Sequence, residues 1–303
     1  YGPTLHPIYF GVLQLLLLGW TAVAASRASV RSAHRLWWLA PLPVCGGILA
    51  TVSRGPMLGV VIAAIAFLFL KYPRTRVAIA VTAVLSAVLL ISFQDTVLQR
   101  LENWSGERRD EIVVDGESIA QSSVRNRLNL ITVHRIAIKR AGLFGFGSDA
   151  VAGFPINVPV GPSEAETLAS VRNVDNSYIL MMLRFGYLGA FMLLATAALC
   201  VAQFGMLALK ARRRLIQSSG ICLGAVTFAS LCVLLTVWMP YEIGFPLFWT
   251  FGVSAGLMFA QVDSKRTRGK SRKMRGEHRR TLSGRNGKSK TNHRSRNPGS
   301  QAH

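Results

Sequence analysis

The sequence predicts an all-α polytopic membrane protein with about seven transmembrane helices, and three observations support this prediction. Half of the 303 residues are apolar although the formal net charge is +21, so charged and apolar side chains must be segregated along the chain. Seven apolar segments approach the roughly 20 residues that a helix needs to cross a bilayer core. Basic residues are concentrated in alternate connections between these segments.

The predicted spans form two groups, four within residues 1–94 and three within 179–262. Spans two and three are predicted to form a helical hairpin, because only the turn SRGP at 53–56 separates them and Pro56 suits a first helical position. Span five contains Arg184, so its first turns are expected to project beyond the hydrocarbon. The seven spans are residues 8–25, 37–53, 56–70, 77–94, 179–206, 219–238 and 243–262.

The basic residues also predict the orientation of the chain in the membrane. The connections after spans one, three and five and the segment after span seven are rich in Lys and Arg, whereas residues 1–7 and 239–242 contain neither. By the positive-inside rule the basic segments are cytoplasmic, and residues 95–178 form one large extracytoplasmic loop. The chain begins at Tyr1 without the regions of a signal peptide, which favours the later part of a longer protein.

The C-terminal tail, residues 263–303, has almost no large apolar side chains and is predicted to be a disordered, basic, cytoplasmic segment. Its charge favours attraction to anionic lipid headgroups, worth on the order of 1 kcal/mol per basic residue near the surface, over binding of nucleic acid. The four cysteines lie in apolar runs and form no CxxC pair. Neither a disulfide framework nor a bound metal is therefore predicted.

The loop 95–178 is the predicted region large enough to form a site outside the membrane. Residues 101–121 are polar and acidic and are predicted to be irregular. A helical pattern over about 123–141 predicts a surface helix on the outer membrane face, and Gly142 is expected to end it. His134 lies in this helix, where a single histidine more often has a structural than a catalytic role.

Three arginines, Arg54, Arg127 and Arg184, are predicted to lie at the outer face. An arginine at membrane depth is costly and usually pairs with another group or lines a polar cavity. Its guanidinium group can also make two-pronged contacts to phosphate. Snorkelling of the side chain to the interface explains any one of the three but explains all three less well. They are therefore candidates for binding an anionic substrate.

The polar stretch VDNSYI, residues 174–179, stands directly before span five. Two interpretations of it are open from the residues alone. It caps the helix, as short polar segments before a helix usually do, or it lines the polar rim of a site at the mouth of the membrane helix.

Three motifs follow one another along the chain: SRG at 53–55, LFGFG at 143–147 after Arg127 and a helix, and DNSY at 175–178 with GYLG at 186–189. Together they resemble the superfamily of bacterial O-antigen ligases and polymerases, membrane enzymes that act on polyprenyl-linked glycans. Their order and spacing make the set specific over most of residues 5–260, although each alone is weak. The sequence departs from the family pattern at Gly142, where the family often has proline, and at Asp175, where it often has histidine.

The resemblance implies a glycosyltransferase of cell-surface polysaccharide assembly in the bacterial cytoplasmic membrane. A hydroxyl of an acceptor glycan or lipid attacks the anomeric carbon of a glycan carried on polyprenyl pyrophosphate at the outer face, without a metal or other cofactor. The resemblance implies catalytic roles for Arg127 and for Asp175, the latter as general base. It implies contacts to the pyrophosphate or glycan for Arg54, Arg184, Asn176, Tyr178, Gly145, Gly147 and His134.

Under this interpretation VDNSYI forms the polar rim of the site, and a polymerase is favoured over a ligase. A transporter or flippase without chemistry is the main alternative. It predicts internal repeats and polar residues near the midplane of several helices, whereas the sequence shows no repeat and its mid-span segments are nearly free of charge. A scaffolding membrane protein accounts for the basic tail but not for the arginines.

Overall fold

The computed structural model places five main stretches of the chain, and the predictions for the tail 263–303 lie outside them. The chain divides into two compact units, residues 1–255 and 256–303. The described residues are 7–27, 36–93 except 38, 110–121 except 115–116, 134–147 except 136, and 176–262 except 238 and 240–242, with positions 96 and 100.

Helices dominate the described residues. The short connection between α3 and α4 contains one 3-10 turn, Pro73–Thr75. The α-helices are α1 (Pro7–Arg27), α2 (Pro41–Ala50), α3 (Arg54–Lys71), α4 (Arg76–Ser92), α5 (Ser177–Lys210), α6 (Arg214–Val233) and α7 (Ile243–Val262).

Five of the predicted spans are confirmed as helices long and apolar enough to cross a membrane, namely α1, α3, α5, α6 and α7. The class of all-α polytopic membrane protein is therefore confirmed. Helix α4 has 17 residues and a length of about 25 Å, at the lower limit for a span.

The structure differs from the prediction at the second span, residues 37–53. Helix α2 has only 10 residues, about 15 Å, which is too short to cross the bilayer alone. Its start is set by Pro41 and Pro43, because proline lacks an amide hydrogen and is tolerated only in the first turn of a helix. Its end is set at Thr51, whose hydroxyl donates to the Ile48 carbonyl oxygen at 2.7 Å.

Helix α6 forms the centre of the bundle and is buried along most of its length. Helices α1, α3 and α5 pack against it at glycines, where a side chain would meet the neighbouring helix. Gly19 of α1 lies beside Val226, and Gly224 of α6 lies beside Phe204 of α5. Helix α7 joins this bundle through Trp249, whose ring stacks on that of Trp20 with 4.8 Å between the centroids.

The contacts bring the starts of α1, α3 and α5 and the end of α6 to one end of the bundle, here called the motif end. Gly11 near the start of α1 lies beside Pro56 near the start of α3. Gly59 of α3 lies beside Val233, the last residue of α6. The amide of Ser177, the first residue of α5, donates to the Leu234 carbonyl oxygen at 3.1 Å.

A two-stranded antiparallel hairpin lies within the segment that was predicted to be irregular. Strand β1 (Asp110–Val114) pairs with β2 (Glu117–Gln121), and Ile112 stands opposite Ile119. The prediction was wrong for the two strands because it rested on polarity, and residues 101–109 lie outside the described chain. The two residues between the strands, Asp115 and Gly116, are the pair most typical of a tight hairpin turn.

The described part of the predicted surface helix is helical from His134 to Ala141, whereas residues 123–133 lie outside the described chain. Its end at Gly142 is confirmed, since that residue has left-handed backbone geometry with φ +59°. The buried side of this segment, with Ala137 and Ile138, packs against Ile179, Leu180 and Leu183 of α5. Its basic side chains Lys139 and Arg140 are exposed.

Candidate functional site

Helix α5 is broken at Gly186, which has φ 67° and ψ −167°. In an unbroken helix the amides of Tyr187 and Leu188 donate to the carbonyl groups of Leu183 and Arg184. The break removes both bonds and leaves two amides and two carbonyl groups that need other partners.

The turn at residues 142–147 supplies those partners. The amides of Tyr187 and Leu188 donate to the carbonyl oxygens of Gly142 and Leu143, at 3.0 and 3.1 Å. In return, the amides of Phe146 and Gly147 donate to the carbonyl oxygens of Leu183 and Arg184, at 2.8 and 2.9 Å. All four backbone groups freed by the break are thereby satisfied. We call this arrangement the turn–break unit.

Gly145 and Gly186 make the close approach in the turn–break unit possible. A methyl group added at Gly145, which has φ +78°, would clash with the carbonyl group of Arg184 and the amide nitrogen of Gly186. A methyl group added at Gly186 would clash with the carbonyl group of Leu143. The two motif glycines are thus required by one backbone contact. Around Gly147, in contrast, the described residues place no atom within 4 Å of an added methyl group.

Arg184 lies in the turn–break unit, two residues before the break. Its carbonyl oxygen accepts from Gly147, and its side chain is partly buried. The Nε atom is buried and has no hydrogen-bond partner among the residues that the structure describes.

Asn176 is the N-cap of α5. The first interpretation of VDNSYI, that it caps the helix, therefore holds for this residue. Its side-chain oxygen accepts from the amides of Tyr178 and Ile179 at 3.0 and 3.1 Å. Its side-chain nitrogen donates to the Leu235 carbonyl oxygen at 2.8 Å. The side chain is 7% exposed, so the cap is also a buried link to the chain that follows α6.

Two neighbouring residues extend this link. The Ser177 hydroxyl donates to the Val237 carbonyl oxygen, and the Tyr178 hydroxyl donates to the Leu231 carbonyl oxygen at 2.8 Å. Carbonyl groups at the C-terminal end of a helix lack intrahelical partners. Tyr178 satisfies one of these, that of Leu231, whereas Asn176 and Ser177 bond to carbonyl groups just after the end of α6. The sequence NSY therefore joins the start of α5 to the end of α6.

Arg54 is the first residue of α3 and is exposed at the motif end. The turn before it contains Val52 at φ +51° and is held by the Thr51 hydroxyl, which accepts from the Ser53 amide at 3.3 Å. Gly55 lies beside Val233 and Val237. Pro56 stands third in the helix, although the sequence predicted it at the first position.

A family model described as O-antigen ligase (Wzy_C) matches residues 39–194, just over half of the chain. The chain belongs to the O-antigen ligase family. The matched range contains the SRG turn, both halves of the turn–break unit and the NSY residues 176–178, whereas the carbonyl groups to which NSY bonds lie beyond residue 194. No curated protein sequence matches the chain closely enough to be counted as a relative.

Membership in the O-antigen ligase family makes the protein a multi-pass membrane enzyme of the glycosyl-transfer type in polysaccharide assembly, acting on lipid-linked glycans. Among the implied site residues, Arg54, Asn176 and Tyr178 lie at the motif end, and Arg184, Gly145 and Gly147 lie in the turn–break unit. His134 is fully buried on the 134–141 segment. Arg127 and Asp175 lie outside the described residues, and the implied roles of all these residues remain predictions.

An apolar groove of about 720 Å³ lies between α5 and α6 of this O-antigen ligase family member. Both helices are candidate membrane spans, so the groove lies within the membrane-spanning part. The Tyr178 ring lines it, with Leu194, Ala197, Ala198, Val201, Ala202, Phe228, Leu231, Cys232 and Leu235. The sequence reasoning missed the groove, because it forms between side chains of two helices and no local motif marks it.

Proposed function

We propose that the protein transfers a glycan from polyprenyl pyrophosphate to an acceptor sugar hydroxyl at the outer face of the bacterial cytoplasmic membrane. A polymerase, whose acceptor is itself a lipid-linked glycan, is favoured over a ligase. In this proposal the long loop faces outwards and the basic tail faces the cytoplasm, where it meets anionic lipids.

One observation carries the proposal: the described parts of three separate motifs form one connected structure. The SRG turn with Arg54 lies beside the end of α6, and the NSY link bonds to that same end. The first turns of α5 then lead from the NSY link to Arg184 and the turn–break unit. Residues far apart in sequence thus share one end of the first compact unit.

The chemistry requires groups that stabilise a leaving pyrophosphate. A new bond forms between the acceptor oxygen and the anomeric carbon, and the bond from that carbon to the pyrophosphate oxygen breaks. Preorganised guanidinium groups stabilise the negative charge that develops on the leaving group. We assign this role to Arg54, Arg127 and Arg184, and we assign the acceptor proton to the Asp175 carboxylate.

The groove between α5 and α6 is assigned to the polyprenyl chain of the donor. Its volume of about 720 Å³ lies in the range of ligand sites, and its lining is made of apolar side chains and the ring of Tyr178. It shares Tyr178 and Leu231 with the NSY link, so a chain in the groove lies next to the motif end.

The test uses cells that lack the full-length gene and measures the size distribution of polyprenyl-linked glycans. Single repeat units that accumulate on the outer face identify a polymerase, whereas long glycans retained on the lipid identify a ligase. Units that accumulate on the cytoplasmic face identify a transporter and contradict the proposal, as does an unchanged distribution.

Complementation with variants of the full-length protein then tests the site. We expect Arg54→Ala, Arg127→Ala and Asp175→Asn each to lower transfer by roughly 100-fold or more while the protein still inserts in the membrane. Arg140→Ala is the matched control, because Arg140 is an exposed arginine of the 134–141 segment. Full activity of both Arg54→Ala and Arg127→Ala would contradict the site assignment.

A further inference from the structure

Arg184 occupies a backbone position that is held from two sides. Its own carbonyl oxygen accepts from Gly147, and the carbonyl oxygen of Leu183 accepts from Phe146. After the break, Tyr187 and Leu188 donate to the opposite end of the same turn. The Cα position of Arg184 is therefore set by a segment about 40 residues earlier in the chain.

Side-chain packing reinforces this backbone pairing. Leu180 and Leu183 of α5 are buried against Ala137 and Ile138 of the 134–141 segment, and Phe146 packs against the same cluster. One side of the first part of α5 is thus fixed. The Arg184 Nε atom is buried without a partner among the described residues, so that atom retains its capacity to donate to a ligand.

We propose that Gly145 and Gly186 are positioning residues that hold the Arg184 guanidinium group for an anionic substrate group. An added methyl group at Gly145 clashes with the backbone at the break, and one at Gly186 clashes with the backbone of the turn. The backbone pairing therefore cannot form without a shift of Arg184. The inference rests on the proposed function, because it takes the pyrophosphate of the donor as the anion.

The expected size of the effect follows from the geometry of the reaction. A displacement of about 1 Å at a group that contacts the reacting centre can lower the rate about 100-fold. We therefore expect Gly145→Ala to lower donor transfer by roughly 10- to 100-fold. Gly145→Ala adds only a methyl group and removes no polar side-chain atom.

A double-mutant cycle separates positioning of Arg184 from a general structural effect. Arg184→Lys keeps the charge but loses the forked geometry, so it is expected to retain measurable transfer. If Gly145 acts through Arg184, Gly145→Ala costs less than about threefold in the Arg184→Lys background, because the position is already degraded. Effects that simply multiply would overturn the inference and leave the proposed function intact.

Two glycines provide matched controls. Gly147→Ala introduces a side chain at φ +95° without a clash against the described residues, so it reports backbone strain in the same turn without the steric block at Gly145. Gly205→Ala lies in the same helix as Gly186, with no described atom within 4 Å of the added methyl group, and reports neither effect. We expect transfer to fall in the order Gly145→Ala, Gly147→Ala, Gly205→Ala, with the last unchanged.

A second pair of variants covers the case in which Gly145→Ala fails to fold. Tyr187→Pro removes the amide that donates to Gly142, at a helix start where proline is tolerated, whereas Tyr187→Ala retains the amide. Only the proline variant should lower transfer, and its effect should also vanish in the Arg184→Lys background. Equal effects of proline and alanine would overturn the inference.

Hydrogen exchange of the full-length protein in lipid nanodiscs tests the pairing without reference to activity. The amides of residues 146–147 and 187–188 should exchange slowly in the unmodified protein and faster in Gly145→Ala. Fast exchange in the unmodified protein would overturn the inference alone. Unchanged transfer by Arg184→Ala, despite slow exchange, would instead contradict the role of Arg184 in the proposed function.

Discussion

Helix α5 is attached to the rest of the protein at two junctions that differ in chemistry. At its start, the side chains of Asn176, Ser177 and Tyr178 bond to carbonyl groups in the last turn of α6 and in the chain that follows it. At its break, the bonds are between backbone groups, and the side chains contribute none of them. The first junction requires particular polar side chains, whereas the second requires the absence of a side chain at Gly145 and Gly186.

The difference teaches that two motifs of one family can be constrained for opposite reasons. In NSY each residue type matters because of its donor or acceptor groups. In LFGFG and GYLG the glycines matter because two backbone segments are in contact. From the sequence alone, a glycine indicates only that another group comes close to the backbone. Substitutions at the two junctions should therefore differ in size and in which replacements restore stability.

The largest effect is expected at the break. Gly186→Ala combines a strained left-handed backbone, which costs about 1–3 kcal/mol, with a clash against the Leu143 carbonyl group. We expect the free energy of unfolding in detergent to fall by more than about 3 kcal/mol, and no other L-residue should restore it.

Gly205→Ala is the control for this comparison, since it lies in the same helix and no atom of the described residues is within 4 Å of the added methyl group. Alanine in a helix interior is favoured over glycine by about 0.5–1 kcal/mol, so this variant should be as stable as the original or more so. A loss at Gly186 no larger than at Gly205 would contradict the close backbone contact.

A smaller effect is expected at the start of α5. Asn176→Ala removes the cap, worth about 1 kcal/mol, and the hydrogen bond from the side chain to the Leu235 carbonyl group, worth about 0.5–1.5 kcal/mol. We expect a total loss of about 1.5–2.5 kcal/mol in the free energy of unfolding, measured by denaturant titration in detergent.

Asn176→Ser divides that loss into its two parts. Serine is as good a cap as asparagine but is too short to reach Leu235, so it should restore the capping part only. Restoration of full stability by serine would show that the link to Leu235 contributes little. The result also sharpens the contrast with Gly186, where no replacement is expected to help.

The sequence allowed much of the helical architecture to be predicted, because long apolar runs have few alternatives in a bilayer. It also predicted the helix end at Gly142. The short α2 and the hairpin were missed although local signals existed, two prolines in the first case and Asp115-Gly116 in the second. Both predictions gave more weight to the apolar or polar character of the segment than to these local signals.

The two junctions of α5 could not be predicted, and the reason is physical. Asn176 bonds to a residue 59 positions later, and the turn at 142–147 pairs with a break about 40 positions later. No local pattern states which distant backbone satisfies a freed amide or carbonyl group. The motifs marked Gly145 and Gly186 as candidate positions, but only the structure shows that the two glycines lie at the same close backbone contact.

The last prediction concerns the groove that adjoins the side-chain junction through Tyr178. Ala198→Trp places a large ring in the groove, whereas Leu199→Trp places the same ring at an exposed neighbouring position that does not line it. If the groove holds the polyprenyl chain, the first variant should raise the KM for a polyprenyl donor about tenfold, equivalent to about 1.4 kcal/mol of lost binding. The second should leave the KM unchanged. Because neither position belongs to a junction, both variants should retain the stability of the original protein. Equal KM values would remove the groove from the donor site while leaving the assignment of the arginines untouched.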